Sequence, residues 1–249
     1  MQHFFVDKSN IDGKIITITG DDVKHIKNVL RMKPGEEISV SDGESDREYR
    51  CEIVSLDADE VVCKLLFIKE DGVELPVKVT LFQALPKGDK METIIQKCVE
   101  LGVASIVPTE THRCVMKLDD KKKKTKVERY QAISEAAAKQ SKRAYIPKVK
   151  PVMTFKQAIA SLSEYDVIMI PYEMSEDMDT TKTVFNSLPE LKDTKVAVFI
   201  GPEGGFEESE VEAVINAGGK AVSLGKRILR TETAGMTVMS FIIYVCEIS

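Results

Sequence analysis

The sequence predicts an α/β protein in which a large domain with a mainly parallel sheet follows a small β-barrel or sandwich. Two observations support this fold class. The first 75 residues contain short β-branched segments separated by turn signals, which is typical of compact β-structures. Beyond Pro76, apolar strand patterns alternate with helix patterns, which is typical of a parallel sheet covered by helices.

The N-terminal region has four segments with strand character: 15–19, 37–40, 47–56 and 60–68. Between the first two, the spacing of Val23, Ile26 and Leu30 indicates a short helix, for which Asp21 or Asp22 is the expected N-cap. Composition changes at Pro76, which cannot donate a hydrogen bond in a central strand. We therefore divide the chain into a domain of residues 1–72 and a domain of residues 73–249.

The second domain is expected to alternate strands and helices. The expected strands are 77–84, 104–107, 167–170, 196–200 and 221–224. The expected helices are 90–101, 125–142, 154–162, 181–188, 208–217 and 231–248. Asp89 and Glu92 resemble a capping box at the first of these helices, and Gly102 follows its end.

The composition excludes several protein classes. With 43% hydrophobic residues, 14 Gly and 9 Pro, the 249-residue chain is neither collagen-like nor disordered. No apolar run approaches the roughly 18–20 residues that a membrane helix needs, and the N-terminus lacks the pattern of a signal peptide. Five cysteines without a CxxC pair argue against a disulfide scaffold or a zinc ribbon. We expect a soluble cytoplasmic protein with no membrane partner.

Charge is distributed unevenly along the chain, although the formal net charge is only −5. Residues 117–150 hold twelve Lys and Arg against four Asp and Glu, whereas the first 75 residues hold ten against seventeen. Phosphate binding requires only a locally basic surface, so the negative total does not exclude a nucleic acid. For the lysine run 121–124 by itself, a solvated loop is the simpler interpretation.

Three unusual loops follow predicted strands of the second domain: 170–173, 199–206 and 223–235. Ligands of open parallel sheets bind beyond the carboxyl ends of the strands, and glycine allows the backbone to approach a ligand closely. Neither of the two glycine-bearing loops has the spacing of a GxGxxG motif or of a P-loop. The loops therefore favour an uncharged heterocycle with a cationic centre over a phosphate chain.

Together these loops resemble the ribosomal small subunit methyltransferase E family of the SPOUT superfamily. The resemblance rests on the segments Gly201-Pro202-Glu203-Gly204-Gly205-Phe206, Leu224-Gly225 and Ile228-Leu229-Arg230-Thr231-Glu232-Thr233-Ala234. Further counterparts of the family lie at residues 25–35, 87–92, 96–103 and 135–141, so the similarity covers essentially the whole chain. The chain departs from the family at His3, where Arg is frequent, and at His112-Arg113-Cys114, where Glu-Arg-Ser is frequent.

The resemblance implies an S-adenosylmethionine-dependent enzyme that methylates N3 of a uridine in 16S ribosomal RNA of the small subunit. It implies a PUA-like β-barrel, followed by a SPOUT-type α/β domain whose last segment threads a trefoil knot. Members of the family act as homodimers. The cofactor site carried over to this chain comprises Pro171, Tyr172, Glu173, Ile200, Gly201, Pro202, Glu203, Gly204, Gly205, Ser223, Leu224, Gly225, Ile228, Leu229, Arg230, Thr233 and Ala234.

Methylation at N3 removes a proton from uracil and places negative charge on the ring. We hypothesise that Arg230 stabilises this charge and that Glu232 or a bound water accepts the proton. The alternative is a structural ion pair between Arg230 and Glu232 that orders the loop before the last helix. His112 and Cys114 are too few ligands for a metal site, so no metal is expected.

RNA contacts are expected mainly to phosphates, which set the register of a bound nucleic acid. The residues expected to make them are Arg31, Lys33, Arg129, Lys139, Lys142 and Arg143. Two alternative functions stay open. One is an RNA 2′-O-methyltransferase of the same superfamily, and the other is a non-catalytic RNA-binding factor in ribosome assembly.

Overall fold

A computed structural model describes residues 1–69, 72–173, 178–190 and 193–249. These residues form two compact units. The first unit consists of Met1–Glu74 and Ala138–Ile146, and the second consists of Leu75–Ala137 and Pro147–Ser249. Because the first unit takes in a distant segment, a boundary between residues 72 and 73 stays a prediction.

Six strands form the sheet of the first unit: β1 (His3–Phe5), β2 (Ile11–Asp12), β3 (Ile15–Thr19), β4 (Glu37–Ser41), β5 (Glu48–Leu56) and β6 (Glu60–Lys69). Their order is β1-β4-β5-β6-β3-β2. The β1–β4 pair is parallel and the other pairs are antiparallel. Buried and more exposed residues alternate along β3 and most of β5, so one face of the sheet holds the core.

Apolar side chains from this sheet and from a short helix form the core of the first unit. The core includes Phe4, Val23, Ile16, Ile18, Ile26, Ile38, Val40, Ile53 and Val61. Helix α1 (Asp21–Lys24) continues into a π-helical turn, His25–Val29. Its N-cap is Gly20, not the expected aspartates, which lie in the first turn, where their negative charges suit the helix dipole.

Seven parallel strands form the sheet of the second unit. They are β7 (Lys78–Ala84), β8 (Ser105–Glu110), β9 (Lys148–Val149), β10 (Met153–Thr154), β11 (Val167–Pro171), β12 (Lys195–Ile200) and β13 (Lys220–Val222). The order is β10-β8-β7-β12-β11-β13, with β9 also paired to β8. The predicted α/β class with a mainly parallel sheet is confirmed.

The helices of the second part of the chain are α2 (Lys90–Glu100), α3 (Asp120–Gln140), α4 (Phe155–Ala160), α5 (Met178–Ser187), α6 (Glu208–Asn216) and α7 (Thr231–Ile243). Short 3₁₀ segments span Lys8–Asn10, Leu162–Glu164 and Leu188–Glu190, and a π-helical turn, Tyr244–Ile248, follows α7. No helix within the described ranges is long and apolar enough to cross a membrane.

Local capping differs from the sequence prediction at α2. The Asp89 side chain makes no capping bond, and only its backbone carbonyl accepts from the Glu92 amide, so the expected capping box is wrong. Capping boxes are found instead at α4, where Thr154 and Gln157 bond reciprocally, and at α6, where Glu207 and Glu210 do so. Gly102, with a φ of +90°, ends α2 in the left-handed conformation, as predicted.

The central strands β7, β8 and β12 are buried along nearly their whole length, as expected for a parallel sheet covered on both faces. The rings of Phe82 and Phe199 stack across β7 and β12, with centroids 4.6 Å apart. Beside this buried centre, β12, β11 and β13 follow one another in the sheet, so their carboxyl ends are close together. The threading of a trefoil knot, which the resemblance implies, stays a prediction.

Candidate functional site

A cavity of about 380 Å³ lies at the carboxyl ends of β11, β12 and β13. The three strands are neighbours in the sheet, so the loops after them meet although they are distant in the sequence. Helix α7 begins where the third loop ends. The volume falls in the range of roughly 300–1,000 Å³ that is usual for small-molecule sites.

The structure brings most of the predicted cofactor residues together. The cavity is lined by Pro171, Tyr172, Glu173, Ile200, Gly201, Pro202, Glu203, Gly205, Ser223, Leu224, Gly225, Ile228, Leu229, Arg230 and Ala234. Two predicted residues, Gly204 and Thr233, are not among the described residues that line it. The carbonyl of Gly204 instead accepts a hydrogen bond of 2.9 Å from Arg113 Nη1, which holds the second loop from outside.

Four further residues line the cavity without having been predicted: Lys90, Phe206, Arg227 and Thr231. Lys90 is the first residue of α2, which follows the carboxyl end of β7 at the same edge of the sheet. This position after a predicted strand could have identified Lys90 as a cavity residue from the sequence. Phe206 and Thr231 belong to the segments that carry the family resemblance, although no role had been given to them.

The second loop depends on close backbone packing. A Cβ at Gly201 would lie 3.2 Å from the ring of Phe206 and 3.3 Å from the backbone of Gly205. Gly205 itself has a φ of +68°, which an L side chain adopts only with strain. Both positions therefore require glycine for the loop to curl around the cavity.

Hydrogen bonds through Thr231 join the second loop to α7 and to β7. The Thr231 hydroxyl donates to the Gly201 carbonyl at 2.7 Å and accepts from Gln83 Nε2 at 2.9 Å. Gln83 and Thr231 are both buried, so water does not compete for these bonds. The start of α7, which carries Glu232, is thereby fixed relative to the second loop.

The third loop is fixed at its base and open at its tip. The Ser223 amide donates to Thr181 Oγ1 at 2.9 Å, and Gly225, with a φ of +105°, donates to the Ser223 hydroxyl at 3.3 Å. Beyond this turn Ile228 is 84% exposed. An apolar side chain this exposed at the rim of a cavity is available to cover an apolar ligand.

Lys90 lies near two acidic residues: Glu203, which lines the cavity, and Glu232, which is not among the lining residues described. Its Nζ lies 2.8 Å from Glu203 Oε1 and 4.0 Å from Glu232 Oε2. Burial opposes ionisation of Glu203, but hydrogen bonds from Lys90 and from the Lys87 amide outweigh it and hold the pKa of the carboxyl below its ordinary value. Glu203 is therefore a carboxylate at neutral pH.

Glu232 has a different environment. Its Oε2 is buried and has no hydrogen-bond partner among the described residues. Arg230 is exposed at the N-cap position of α7. Among the described residues, the ion pair that Glu232 makes is with Lys90 and not with Arg230. The alternative of a structural Arg230–Glu232 ion pair is thus wrong. Arg230 lines the cavity, whereas Glu232 is not among the described residues that line it.

The loop after β8 supports the second loop through its departures from the family pattern. His112 Nδ1 lies 2.8 Å from Glu207 Oε1, and the His112 amide donates to Glu210 at 2.9 Å. The Cys114 thiol lies 3.2 Å from the Thr111 hydroxyl. These side chains serve the loop's structure, and the described residues contain no cluster of three potential metal ligands.

The residues expected to contact RNA differ in how accessible they are. In the first unit, Arg31 and Lys142 are exposed and have positive φ values of +53° and +59°, and Lys33 is also exposed. Lys139 pairs with Asp22 at 3.0 Å while remaining partly exposed. In the second unit, Arg129 is exposed and pairs with Glu92 at 2.8 Å. Exposed cations whose ion pairs are open to solvent can exchange a carboxylate for a phosphate.

Arg143 does not fit the expected role. Its side chain is 3% exposed, and its Nε lies 3.1 Å from each carboxylate oxygen of Glu74. A buried guanidinium with a bidentate partner is not accessible to an RNA phosphate. The prediction of an RNA contact at Arg143 is therefore corrected to a structural ion pair within the first unit.

Family models place the chain in a defined class. An RNA methyltransferase domain matches residues 73–243, and an RNA methyltransferase PUA domain matches residues 18–66. Ribosomal RNA small subunit methyltransferase E of Bacillus subtilis is 39% identical over 254 residues, which cover all of this chain and 98% of that protein. The chain belongs to the ribosomal RNA small subunit methyltransferase E family.

Solved structures agree with this assignment. Ribosomal RNA small subunit methyltransferase E from Neisseria gonorrhoeae, bound to S-adenosyl methionine, superposes with a TM-score of 0.82 at 28% identity and covers 98% of each chain. The methyltransferase Lpg2936 from Legionella pneumophila, in complex with the same cofactor, gives a TM-score of 0.78 at 29% identity, over 97% of this chain and 96% of that one. The predicted SPOUT-type fold class with a PUA-like domain is confirmed.

Proposed function

We propose that the protein uses S-adenosylmethionine to methylate N3 of a uridine in 16S ribosomal RNA of the small subunit. The observation that carries this proposal is the three-loop cavity, whose lining joins apolar side chains, glycine backbone and mixed charges. Relatives named as small subunit methyltransferases support the ribosomal RNA substrate. A ribosomal substrate places the protein in the cytoplasm.

The lining fits the proposed cofactor chemically. Ile200, Leu224 and Leu229 offer an apolar slot for an adenine ring, and the glycine backbone offers amides and carbonyls to its edge. Glu173 and Glu203 supply negative charge beside a sulfonium or an ammonium group. When bound, the cofactor supplies an electrophilic methyl group. Gly204 and Thr233 are not among the described residues that line the cavity. Gly204 instead supports the second loop through the bond that its carbonyl accepts from Arg113.

Arg230 and Glu232 are the proposed catalytic residues. Removal of the N3 proton leaves negative charge on the uracil ring, and the exposed guanidinium of Arg230 at the cavity is placed to stabilise it. The Glu232 carboxylate, directly or through a water, accepts the proton. Alignment of the base with the methyl group supplies the remaining part of the rate enhancement.

RNA binding is proposed to use exposed cations of both units: Arg31, Lys33, Arg129, Lys139 and Lys142. These side chains contact phosphates and carry little sequence information. The bases that surround the target uridine are then recognised by other groups. Arg143 is excluded from this set because it is buried against Glu74.

A homodimer is proposed from the last helix. Phe241, Tyr244 and Ile248 are 39%, 57% and 69% exposed, and their spacing places them along one side of α7 and its π-helical continuation. An exposed apolar stripe of this kind on a described helix favours burial against another chain. Sedimentation of the purified protein at several concentrations tests it, and a monomer at all of them would overturn the dimer.

The decisive experiment uses small ribosomal subunits that lack the modification. The protein is incubated with them and with methyl-labelled S-adenosylmethionine, and the RNA is digested to nucleosides for mass spectrometry. The proposal expects label in 3-methyluridine. Label in a 2′-O-methyl nucleoside would favour the ribose methyltransferase instead. Cofactor binding without any label in RNA, or no binding at all, would favour a non-catalytic assembly factor.

A further inference from the structure

A row of side chains crosses the outer face of the six-stranded sheet in the first unit. His3 on β1 pairs in register with Ser39 on β4, Ser39 pairs with Arg50 on β5, and Arg50 pairs with Phe67 on β6. Residues paired in register point to the same face of a sheet. Glu48, two residues before Arg50, shares that face, which is opposite to the core.

Hydrogen bonds fix the protonation pattern of this row. The Ser39 hydroxyl donates to Glu48 Oε1, and Arg50 Nη2 lies 3.0 Å from the same carboxylate oxygen. His3 Nδ1 lies 3.0 Å from Ser39 Oγ. Because Ser39 has a single proton and gives it to Glu48, His3 Nδ1 carries the proton in this contact. In neutral His3 the other ring nitrogen, Nε2, is then an acceptor.

Two nitrogen atoms of the row have no partner among the described residues. They are His3 Nε2 and Arg50 Nε, and both are buried. Buried polar atoms in native structures are almost always hydrogen-bonded, so two exceptions in one network point to a missing partner. Arg50 Nη1 is in contact with the sulfur of Met1, which is 57% exposed, so a ligand can displace it.

Positive charge surrounds the row although the first unit as a whole is acidic. Burial lowers the pKa of His3, Glu48 opposes this effect, and Arg50, Lys139 and Lys142 lower it further. The two lysine ammonium groups therefore act on the same position as Arg50. Lys139 pairs with Asp22, and Lys142, three residues further along the chain, is exposed. The row thus combines a local cationic field with one acceptor and one donor.

An aromatic side chain completes the surface. Phe67, opposite Arg50, is 57% exposed, although a buried ring would contribute far more to stability. An exposed ring beside cationic side chains is the arrangement on which unpaired nucleobases stack. On this face the exposed ring of Phe67 lies next to a polar network, which favours a nucleobase as its partner.

We propose that His3, Arg50 and Phe67 form a binding site for one unpaired nucleotide of RNA. Its base stacks on Phe67, its edge donates a hydrogen to His3 Nε2 and accepts one from Arg50 Nε, and its phosphates lie near Lys139 and Lys142. Ser39 and Glu48 position the two polar side chains. The inference rests on the proposed function for the source of the RNA, and it adds a contact to a base where the other cations contact phosphates.

The test measures binding of a fluorescein-labelled single-stranded RNA of about ten nucleotides to the full chain by fluorescence anisotropy. Phe67→Ala is expected to weaken binding about tenfold, since the loss of one stacked base has roughly this effect. Phe67→Tyr is expected to restore it. Arg50→Gln is expected to weaken binding more than Arg47→Gln, which removes an exposed arginine of the same unit. Val54→Ala, at another exposed apolar residue, is the control for Phe67→Ala.

The outcomes separate this inference from the proposed function. Equal affinities for Phe67→Ala and Val54→Ala would overturn the site, even if wild-type protein methylates ribosomal subunits. A change in sedimentation for Phe67→Ala without a change in RNA affinity would also overturn it, since the ring would then contact protein. Weakened RNA binding by Phe67→Ala would uphold the site even if wild-type protein transferred no methyl group, in which case only the proposed function fails. Circular dichroism verifies that each variant is folded.

Discussion

The cavity of the second unit and the polar row of the first unit are built in opposite ways. The cavity is formed by three loops, with glycines in the loops after β12 and β13 and the Gly201 carbonyl held by the Thr231 hydroxyl. The polar row is formed by side chains from four strands that the register of the sheet aligns. A site formed by glycine-bearing loops requires particular residues at fixed spacing in the sequence. A site formed by the pairing of strands places no such requirement on residues that are neighbours in the sequence. This difference decides which site can be read from the sequence.

Burial decides the role of Arg143 in the first unit. The variant that tests this role is expected to have the largest effect. Arg143→Gln leaves the Glu74 carboxylate without its bidentate partner in a largely buried position, and is expected to lower the free energy of unfolding by about 3–5 kcal/mol. Urea titration followed by circular dichroism measures this, and the exposed neighbour variant Lys142→Gln is the control. A stable Arg143→Gln protein with weakened RNA affinity would restore the original prediction of an RNA contact.

Removal of the proposed electrostatic catalyst in the cavity should have the next largest effect. Arg230→Ala is expected to lower kcat about a hundredfold or more, because it removes the guanidinium at the N-cap of α7 that is proposed to stabilise the uracil anion. Calorimetry with S-adenosylmethionine should show that the cofactor still binds. Lys226→Ala removes an exposed cation from the same loop and should retain activity. Near-normal turnover by Arg230→Ala would remove Arg230 from the mechanism.

Cofactor binding in the cavity should be sensitive to the addition of a single methyl group to the second loop. Gly201→Ala places a Cβ 3.2 Å from the ring of Phe206, so the loop must shift at a cost of about 1–3 kcal/mol. We expect S-adenosylmethionine to bind about ten times more weakly, as measured by calorimetry. Gly72→Ala is the control, because its Cβ would meet only ordinary contacts at 3.6 Å. Unchanged affinity in Gly201→Ala would mean that the second loop is not part of the cofactor site.

The smallest expected effect concerns the charges of the cavity. The pKa of Glu203 is held below its ordinary value of 4.5, so the stabilisation by Lys90 is present above that pH and is lost as the pH falls through the lowered value. Lys90→Gln should therefore reduce stability at pH 7 by about 0.2–1 kcal/mol, because the pair is partly exposed and screened. Calorimetric melting over a series of pH values from 7 downwards should show this difference shrinking in acid. The exposed Lys156→Gln is the control, and a difference that stays equal across the series would contradict the assignment.

Sequence reasoning succeeded where the chemistry is local. The alternation beyond Pro76 predicted the parallel sheet, and the glycine-bearing segments predicted nearly all of the cavity lining. It failed at Arg143, because a basic residue at the exit of a helix has the same local pattern whether it is exposed or buried. It also failed at the expected capping box of Asp89, whose side chain makes no capping bond. In both cases the folded structure, and not the local sequence, determines which groups the side chain contacts.

By itself, the sequence determined the fold class, the family and the loops that enclose the cavity, because glycine spacing and apolar periodicity act over a few residues. Only the tertiary structure decided that Lys90 lies between Glu203 and Glu232, that Arg143 is buried against Glu74, and that His3, Arg50 and Phe67 share one face. These residues are separated by tens of positions in the chain. Their interactions depend on strand register and on helix placement, which the packing of the whole core fixes.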